Sequence, residues 1–247
     1  IDLPGAVWKN RPALSAEKVW PLPIEYVGES SQSKIERVRK FLSEKKAQYF
    51  LLTSLEDIAW LLNMRGNDVE STPVILSYLL LGEKELTWYV QEKCLSEKIK
   101  ILLEMQGIKT APYEQVYGDI KKIPEETAIY YDKNSVNTAL VNAVPEKVQK
   151  IEGMNPTLLF KARKNPVEVE NERKAHIKDG VAVTKFICWL KTQVGKKKIT
   201  EISAAEKLEQ FRMAQEHYVE PSFAPIIAYK EHGAIVHYSA TKDSDIV

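Results

Sequence analysis

The sequence predicts an α/β domain over residues 28–158, followed by an α+β region over residues 159–247 that opens with helices and closes with strands. In the first region, short apolar runs rich in β-forming residues alternate with amphipathic helical patterns, which is typical of α/β layers. In the second region, a long helical pattern follows Pro166, and apolar strand-like runs come only near the C-terminus. This change of pattern predicts two domains.

Residues 1–27 precede the α/β domain and are rich in proline. Proline cannot donate a backbone hydrogen bond and interrupts helices, so this density predicts an extended tail or linker. Trp8 and Trp20 indicate that the tail still lies against another part of the protein. The prolines of this stretch are Pro4, Pro12, Pro21 and Pro23.

Helices in the α/β domain are predicted from caps and from apolar spacing. Residues 33–36 have the form of a capping box, and apolar residues follow them at helical spacing. Ser54 is a second N-cap candidate, for a short helix that runs to Leu62. A third helix is predicted over residues 96–105 and ended by Gly107, because glycine readily adopts the left-handed conformation that follows many helices.

Strands of the same domain are predicted from short apolar runs. Tyr49–Leu52 reads as a buried strand, and Ala128–Tyr131 as another. Two β-rich runs, residues 74–81 and 86–90, are divided by residues 82–85, which contain a glycine and charged residues. This arrangement predicts a β-hairpin.

The second region opens with a strong helix-start signal. Asn165 is suited to the N-cap, Pro166 to the first helical position, and Glu168 places an acid in the first turn. The apolar pattern continues to Gly195, which predicts a helix about 40 Å long. The predicted elements that follow are a helix over residues 200–215 and strands over residues 222–229 and 234–238.

Composition excludes several classes of protein. Lys plus Arg number 35 against 34 for Asp plus Glu, which argues against a dedicated nucleic-acid binder. Cys94 and Cys188 are too few for a disulfide framework or a zinc cluster of their own. No run approaches the ~18 apolar residues of a membrane span, and a signal peptide is not recognisable. We expect a cytoplasmic protein without nucleic-acid or membrane partners, and, since the first residue is Ile1, a chain that lacks its natural start.

Histidines are the candidates for acid–base chemistry. His176 lies among charges on the predicted long helix, which favours a surface role or a side-chain hydrogen bond. His217 follows a helix end, where the dipole favours a cation, and His232 precedes a glycine in a turn, where exposure is expected. His237 differs because it ends an apolar run beside Tyr238. From spacing alone, a structural role is still favoured for it.

Metal-binding and nucleophile motifs are weak. The sequence has no His-Glu-x-x-His, glycine-rich dinucleotide motif or P-loop. Ser-x-x-Lys segments at Ser31 and Ser43 match a fragment of the β-lactamase pattern, but its partner motifs are absent. Pairs of acids could suit oxygen-loving cations, although such pairs are common in turns. These pairs are Asp68 with Glu70 and Asp243 with Asp245. From the residues alone, the sequence contains no complete active site.

Several motifs occur in a specific order along the chain, and the last of them is Gly-Ala-Ile-Val-His-Tyr at residues 233–238. Together they resemble the Xaa-Pro aminopeptidases (aminopeptidase P) of the three-domain, cytosolic type. The resemblance covers nearly the whole chain. The segments that carry it are residues 54–69, 172–180, 200–205, 221–223 and 233–238.

The resemblance implies an architecture and an activity. Residues 28–158 would form a creatinase-N-like middle domain, residues 159–247 the incomplete opening part of a pita-bread catalytic domain, and residues 1–27 the tail of a missing first domain. Enzymes of this family are metallopeptidases that release the N-terminal residue from peptides with proline in second position, using two divalent metal ions, typically manganese. The parent protein is expected to be such a hydrolase, cytoplasmic and homodimeric.

The resemblance also implies roles for particular residues. His237 matches a family histidine placed near the substrate, where a neutral imidazole can transfer a proton or donate a hydrogen bond, so it is the expected catalytic residue. The family's metal ligands follow the His-Tyr motif. We therefore expect no metal ligand and no cofactor-binding residue in this chain, and no activity from the chain alone. Arg65, Gly66 and Asp68 resemble a structural turn.

Two alternatives stay open. Pita-bread proteins without metal ligands serve as peptide- or protein-binding modules, and such a non-catalytic module is the main alternative. A creatinase-type or prolidase-type relative would share the architecture but act on other substrates.

Overall fold

In a computed structural model that describes residues 3–247, the chain forms two compact units, which divide between Asn165 and Pro166. Ile1 and Asp2, at the start of the predicted tail, lie outside the described residues. The first unit alternates strands with helices, as predicted, and the second is mainly helical. The predicted domain bounds, 1–27, 28–158 and 159–247, stay predictions.

The first unit contains both helices and strands. Its strands are β1 (Trp20–Pro21), β2 (Tyr49–Leu52), β3 (Met64–Arg65), β4 (Ser77–Gly82), β5 (Leu86–Val90), β6 (Ile108–Ala111), β7 (Ala128–Tyr131) and β8 (Gln149–Glu152). Its helices are α1 (Leu3–Val7), α2 (Ile24–Val27), α3 (Ser31–Glu44), α4 (Leu55–Leu62), α5 (Glu97–Met105), α6 (Val116–Ile120), α7 (Thr138–Ala143) and α8 (Pro156–Ala162).

A mixed sheet of six strands forms the centre of this unit, in the order β6-β5-β4-β2-β7-β8. β2 is parallel to β7 and antiparallel to β4, and β5 is antiparallel to β4. The predicted hairpin is confirmed, because Leu81 pairs with Leu86 across the turn and Ser77 with Val90 at the open end. The predicted strands at residues 49–52 and 128–131 are also confirmed.

Helices cover both faces of the sheet. Phe50 and Leu52 face a core to which α3, α4 and α5 contribute, whereas Leu51 faces a second core with α6 and α7. Successive side chains of a strand point to opposite faces, so β2 must be apolar at consecutive positions. This requirement explains why the sequence shows an unbroken apolar run there, and the α/β class is confirmed.

The later part of the proline-rich stretch packs against the rest of the first unit, whereas the sequence predicts an extended linker there. β1 pairs antiparallel with β3, and Val19 donates its backbone N–H to the carbonyl of Cys94. Val19 and Val27 are both buried. Prolines are compatible with this packing because Pro21 lies in a two-residue strand that has a single neighbour.

The capping box predicted at residues 33–36 is wrong. The helix α3 begins at Ser31, and the N-cap is Ser30, whose hydroxyl accepts a hydrogen bond from the backbone N–H of Ser33. The Ser33 hydroxyl donates instead to Glu29 at 2.8 Å. Ser30, Ser31 and Ser33 all lie near the start of this helix, and local sequence alone does not decide which of them caps it.

The second unit is built on two helices, α9 (Pro166–Gln193) and α10 (Glu201–Met213). The predicted start at Pro166 and the predicted second helix are confirmed. Thr200 caps α10 in a capping box, because its hydroxyl accepts from the N–H of Ser203 and the Ser203 hydroxyl accepts from the N–H of Thr200. A small core joins the helices and contains Phe186, Ala204 and Leu208.

The strands predicted over residues 222–229 and 234–238 are wrong. Residues 222–229 form no regular element, and Lys230–Ala234 is a short 3₁₀ turn. A strand needs a neighbour to satisfy its backbone N–H and C=O groups, and residues 166–247 as described contain none. Phe223 and Val236 accordingly stay 72% and 82% exposed. None of the described helices has the length and apolar character that crossing a membrane would require.

Candidate functional site

The most connected group of polar side chains in the second unit surrounds Glu201, the first residue of α10. Glu201 is 3% exposed, and its carboxylate faces the turn that contains residues 229–238. Oε1 accepts the backbone N–H of Tyr229 at 2.6 Å, and Oε2 accepts the hydroxyl of Tyr238 at 2.7 Å. Glu201 therefore binds both ends of this turn.

His232 contributes a third contact to the same carboxylate. Its Nδ1 lies 3.1 Å from both Oε1 and Oε2 of Glu201. An ionised carboxylate only accepts hydrogen bonds, so Nδ1 must carry the hydrogen. The imidazole also stacks on the ring of Tyr238, with centroids 4.6 Å apart. We call Glu201, His232 and Tyr238 the Glu201 cluster.

The C-terminal segment closes the cluster from another side. Ser244 Oγ lies 3.2 Å from the Tyr238 hydroxyl. Asp245 Oδ1 accepts the backbone N–H of Ile202 at 3.0 Å, and the carbonyl of Ile246 accepts that of Glu201 at 3.2 Å. The first N–H groups of a helix have no partner inside the helix, so these contacts satisfy donors at the start of α10.

Electrostatics supports these donor and acceptor roles. Burial alone would raise the pKa of the Glu201 carboxyl, but the hydrogen bonds from Tyr238, Tyr229 and His232 outweigh burial and lower that pKa. Burial, together with the adjacent carboxylate, raises the pKa of the Tyr238 phenol. At neutral pH, Glu201 is therefore ionised and Tyr238 keeps its proton.

His237, the predicted catalytic residue, lies immediately before Tyr238. It is exposed, its backbone is left-handed with φ 55°, and its ring makes no hydrogen bond to the described residues. The catalytic role of His237 stays a prediction.

The other three histidines differ in exposure. His176 is exposed on α9, and its Nδ1 lies 2.8 Å from the carbonyl of Glu172, in keeping with the expected helix-surface role. His217 is exposed. His232 was expected to be exposed in a turn, and this prediction is wrong, because its ring lies against Glu201.

Sequence reasoning missed Glu201. An acid directly after an N-cap threonine is typical of the first turn of a helix, where it complements the helix dipole. This local pattern gives no indication of the long-range contacts to Tyr229, His232 and Tyr238, which are 28 to 37 residues away. The one signal in the sequence is the motif at residues 200–205, which resembles the family and contains Glu201.

The turn at residues 65–68 is structural, as predicted. Both carboxylate oxygens of Asp68 accept hydrogen bonds, Oδ1 from Ser15 Oγ at 2.7 Å and Oδ2 from the Leu76 N–H at 2.9 Å. Arg65 donates to the carbonyl of Ala59 at 2.7 Å. A Cβ atom at Gly66 would lie 2.5 Å from Ile75 Cγ1, so glycine is required for close packing.

The Ser-x-x-Lys segment at Ser31 is not a catalytic pair. The Ser31 hydroxyl donates to Gln106 Oε1 at 3.1 Å. Lys34 is fully buried, and its ammonium donates to the Trp60 carbonyl at 2.9 Å and to Asn63 Oδ1 at 2.7 Å. These contacts connect helices of the first unit.

The side chains that could bind a metal ion are dispersed. Over residues 3–247, no group of three or more His, Cys, Asp or Glu side chains is arranged to hold a metal ion. Glu201 and Asp245 are engaged by protein donors, as the geometry above shows. The described residues thus do not provide the site that a metallopeptidase would need.

Two family models match the chain. Residues 10–168 match the creatinase/prolidase N-terminal domain. Residues 170–247 match metallopeptidase family M24. The two matches meet near the division between the compact units at Asn165.

Curated relatives are similar over nearly the whole chain. A protein named "Probable Xaa-Pro aminopeptidase P" from Phaeosphaeria nodorum is 36% identical over 98% of this chain and 39% of its own length. A protein of the same name from Sordaria macrospora is 35% identical over 96% of this chain and 41% of its own length. The chain thus spans about two fifths of the length of these relatives.

Solved structures show the same fold. The X-prolyl aminopeptidase of Caenorhabditis elegans, described as a cytosolic enzyme with a di-nuclear active site, superposes with a TM-score of 0.91 at 30% identity. The match covers 97% of this chain and 40% of that one. An Xaa-Pro dipeptidase from Bacillus anthracis superposes with a TM-score of 0.51 at 17% identity, over 74% of this chain and 49% of its own, which shows the fold alone.

Proposed function

We propose that this chain is part of an Xaa-Pro aminopeptidase, because it belongs to the family defined by the creatinase/prolidase N-terminal domain. The start of an M24 metallopeptidase domain follows that domain in the chain. Such an enzyme releases the N-terminal residue from peptides whose second residue is proline. The similarity to an X-prolyl aminopeptidase over 97% of this chain, at a TM-score of 0.91, carries this proposal.

His237 is the catalytic residue of this chain in the proposal. Its exposed imidazole lies on the turn bound by Glu201, where it is accessible to a substrate. An imidazole in the neutral form can accept a proton or donate a hydrogen bond near physiological pH. Either action would assist cleavage of a peptide bond.

The whole protein is proposed to use two divalent metal ions, with manganese as the expected metal. The di-nuclear active site described for the C. elegans enzyme supports this part of the proposal. Metal ions of this kind polarise a carbonyl group and activate water. Residues 3–247, which the structure describes, do not fit such a site, so its ligands would come from other parts of the protein, and this chain alone is expected to be inactive.

Location and assembly are further parts of the proposal. We expect the protein to act in the cytoplasm, which agrees with the description of the C. elegans enzyme as cytosolic. We also expect a homodimer, on the ground of the family resemblance alone.

Substrate selectivity tests the proposed function. The full-length protein with manganese is assayed on a pair of peptides that differ only in having proline or alanine in second position, and released amino acid is measured by mass spectrometry. We expect cleavage of the proline peptide, little cleavage of the alanine peptide, and no turnover by the 247-residue chain. Binding of the proline peptide without cleavage would instead favour a non-catalytic binding module.

A further inference from the structure

The turn that precedes Tyr238 contains two residues in an unfavourable backbone conformation. Lys230 has φ 52° and His237 has φ 55°, although neither is glycine. A left-handed backbone is unfavourable at such residues and persists only where surrounding contacts impose it. The conformation at His237 therefore needs a structural cause close by.

The contacts of Glu201 lie next to both of these residues. Its carboxylate is bonded to the N–H of Tyr229, just before Lys230, and to the hydroxyl of Tyr238, just after His237. The contact from His232 fixes the middle of the turn. Both strained residues thus lie directly beside an anchor on Glu201.

Further hydrogen bonds hold the helix start that carries Glu201. Glu201 is the first residue of α10, where the capping box of Thr200 and Ser203 fixes the helix start. Asp245 binds the next N–H of the helix, that of Ile202. The carboxylate of Glu201 is buried, so it cannot exchange its protein partners for water without moving the helix end.

We propose that Glu201 is a positioning residue for His237, which holds the backbone of the turn so that the His237 imidazole is presented to the substrate. The proposal rests on the proposed catalytic role of His237. Glu201 acts only through Tyr229, His232 and Tyr238, since its own oxygens are occupied by these protein donors. Tyr238 is the direct link because it follows His237 in the chain.

A first test uses the 247-residue chain and needs no activity. In the Glu201→Gln variant, one carboxylate oxygen is replaced by an amide NH₂ group, which donates hydrogen bonds and cannot accept them. The ring Cε1–Hε1 NMR signals of the four histidines are compared with those of the unchanged chain. We expect the His237 signal to move and that of His176, on the exposed surface of α9, to stay in place.

Controls keep this test decisive. Glu206→Gln makes the same chemical change on an exposed residue of α10 and should leave the signals of His232 and His237 unchanged. If Glu201→Gln unfolds the second unit, the His176 signal will also move. The same signals are then measured in Tyr238→Phe, which removes only the hydroxyl group. A His237 signal that is unmoved in the folded variant overturns the proposal.

A second test measures catalysis in the full-length protein. Glu201→Gln should lower kcat by roughly 10- to 100-fold, as a small displacement of a reacting group does, with KM changed much less. His237→Ala should lower kcat at least as much. If Glu201 acts through His237, the double variant should be no slower than His237→Ala alone.

The outcomes separate the two proposals. Losses in kcat that multiply in the double variant would mean that Glu201 acts independently of His237, and positioning would be rejected. A full-length protein that does not cleave Xaa-Pro peptides would reject the proposed function, while the NMR comparison would still decide whether Glu201 controls the conformation of His237.

Discussion

Glu201 and Tyr238 are 37 residues apart in sequence, yet the Tyr238 hydroxyl donates to Glu201 Oε2 at 2.7 Å in a buried site. This bond joins the start of α10 to the end of the turn that contains His237. Because it is buried and charge-assisted, it is stronger than a typical hydrogen bond at the surface. The stability of the second unit should therefore depend on the charge of Glu201.

A pH dependence of stability follows from that charge. The pKa of Glu201 is lowered in the folded chain, so ionisation of this carboxyl stabilises the fold. The stabilisation is fully present above the unfolded pKa of about 4.3, and it is lost as the pH falls through the folded pKa. Urea unfolding of the second unit should show Glu201→Gln less stable than wild type at pH 7. The difference should shrink in acid.

The control for this prediction is Glu206→Gln, because Glu206 is exposed on the same helix. It should follow the wild-type pH profile. If the difference in unfolding free energy between wild type and Glu201→Gln stays constant from pH 7 down to pH 2, ionisation of Glu201 does not stabilise the fold.

Asp57 should be essential for stability of the first unit. It is fully buried in α4, where Oδ2 accepts from Asn155 Nδ2 at 2.7 Å and Oδ1 lies 3.0 Å from Lys161 Nζ. Asp57→Ala leaves these partners without their acceptor, and we expect it to cost about 2–4 kcal/mol of unfolding free energy, measured by urea titration. The exposed neighbour Glu56→Ala should change the same quantity by less than about 0.5 kcal/mol. Equal effects of the two changes would refute the role given to Asp57.

Gly66 should not tolerate a side chain. An alanine Cβ would lie 2.5 Å from Ile75 Cγ1, and Ile75 is buried, so overpacking should cost roughly 1–3 kcal/mol. Gly118→Ala is the matched control, because no atom lies within 4 Å of its added Cβ and alanine favours the helix α6. In thermal unfolding, Gly66→Ala should therefore lower the Tm and Gly118→Ala should raise it. Ile75→Ala should partly rescue Gly66→Ala, and failure of the rescue would point to another cause.

The two cysteines should differ in reactivity. Cys94 is 1% exposed, and burial raises the pKa of its thiol, whereas Cys188 is exposed on α9. The thiolate is the reactive form, so a thiol reagent should modify only Cys188 in the folded chain and both in urea. Mass spectrometry of the modified chain counts the labels, and Cys188→Ser should take up none while folded. Rapid labelling of Cys94 without denaturant would contradict its burial.

Local patterns predicted the parts of the fold that depend on local interactions. The run at residues 49–52 and the hairpin at residues 77–90 could be predicted because consecutive apolar residues match a strand covered on both faces. The start of α9 at Pro166 could be predicted because proline has the backbone angle of a first helical residue.

Long-range contacts explain what the sequence could not show. The apolar runs at residues 222–229 and 234–238 have strand composition, but a strand forms only beside a partner, and that partner is not encoded in the run. The packing of residues 15–27 depends in the same way on Asp68 and β3. Glu201 and His232 were missed because each has an ordinary local explanation.

The central proposal is that this chain is part of an Xaa-Pro aminopeptidase in which His237 is catalytic. The most direct measurement is kcat of the full-length protein on an Xaa-Pro peptide, for wild type, His237→Ala and the surface control His176→Ala. We predict release of the N-terminal residue by wild type, an unchanged rate for His176→Ala, and a loss on the order of 10²-fold for His237→Ala. Equal rates for the two histidine variants, or no release by wild type, would contradict the account.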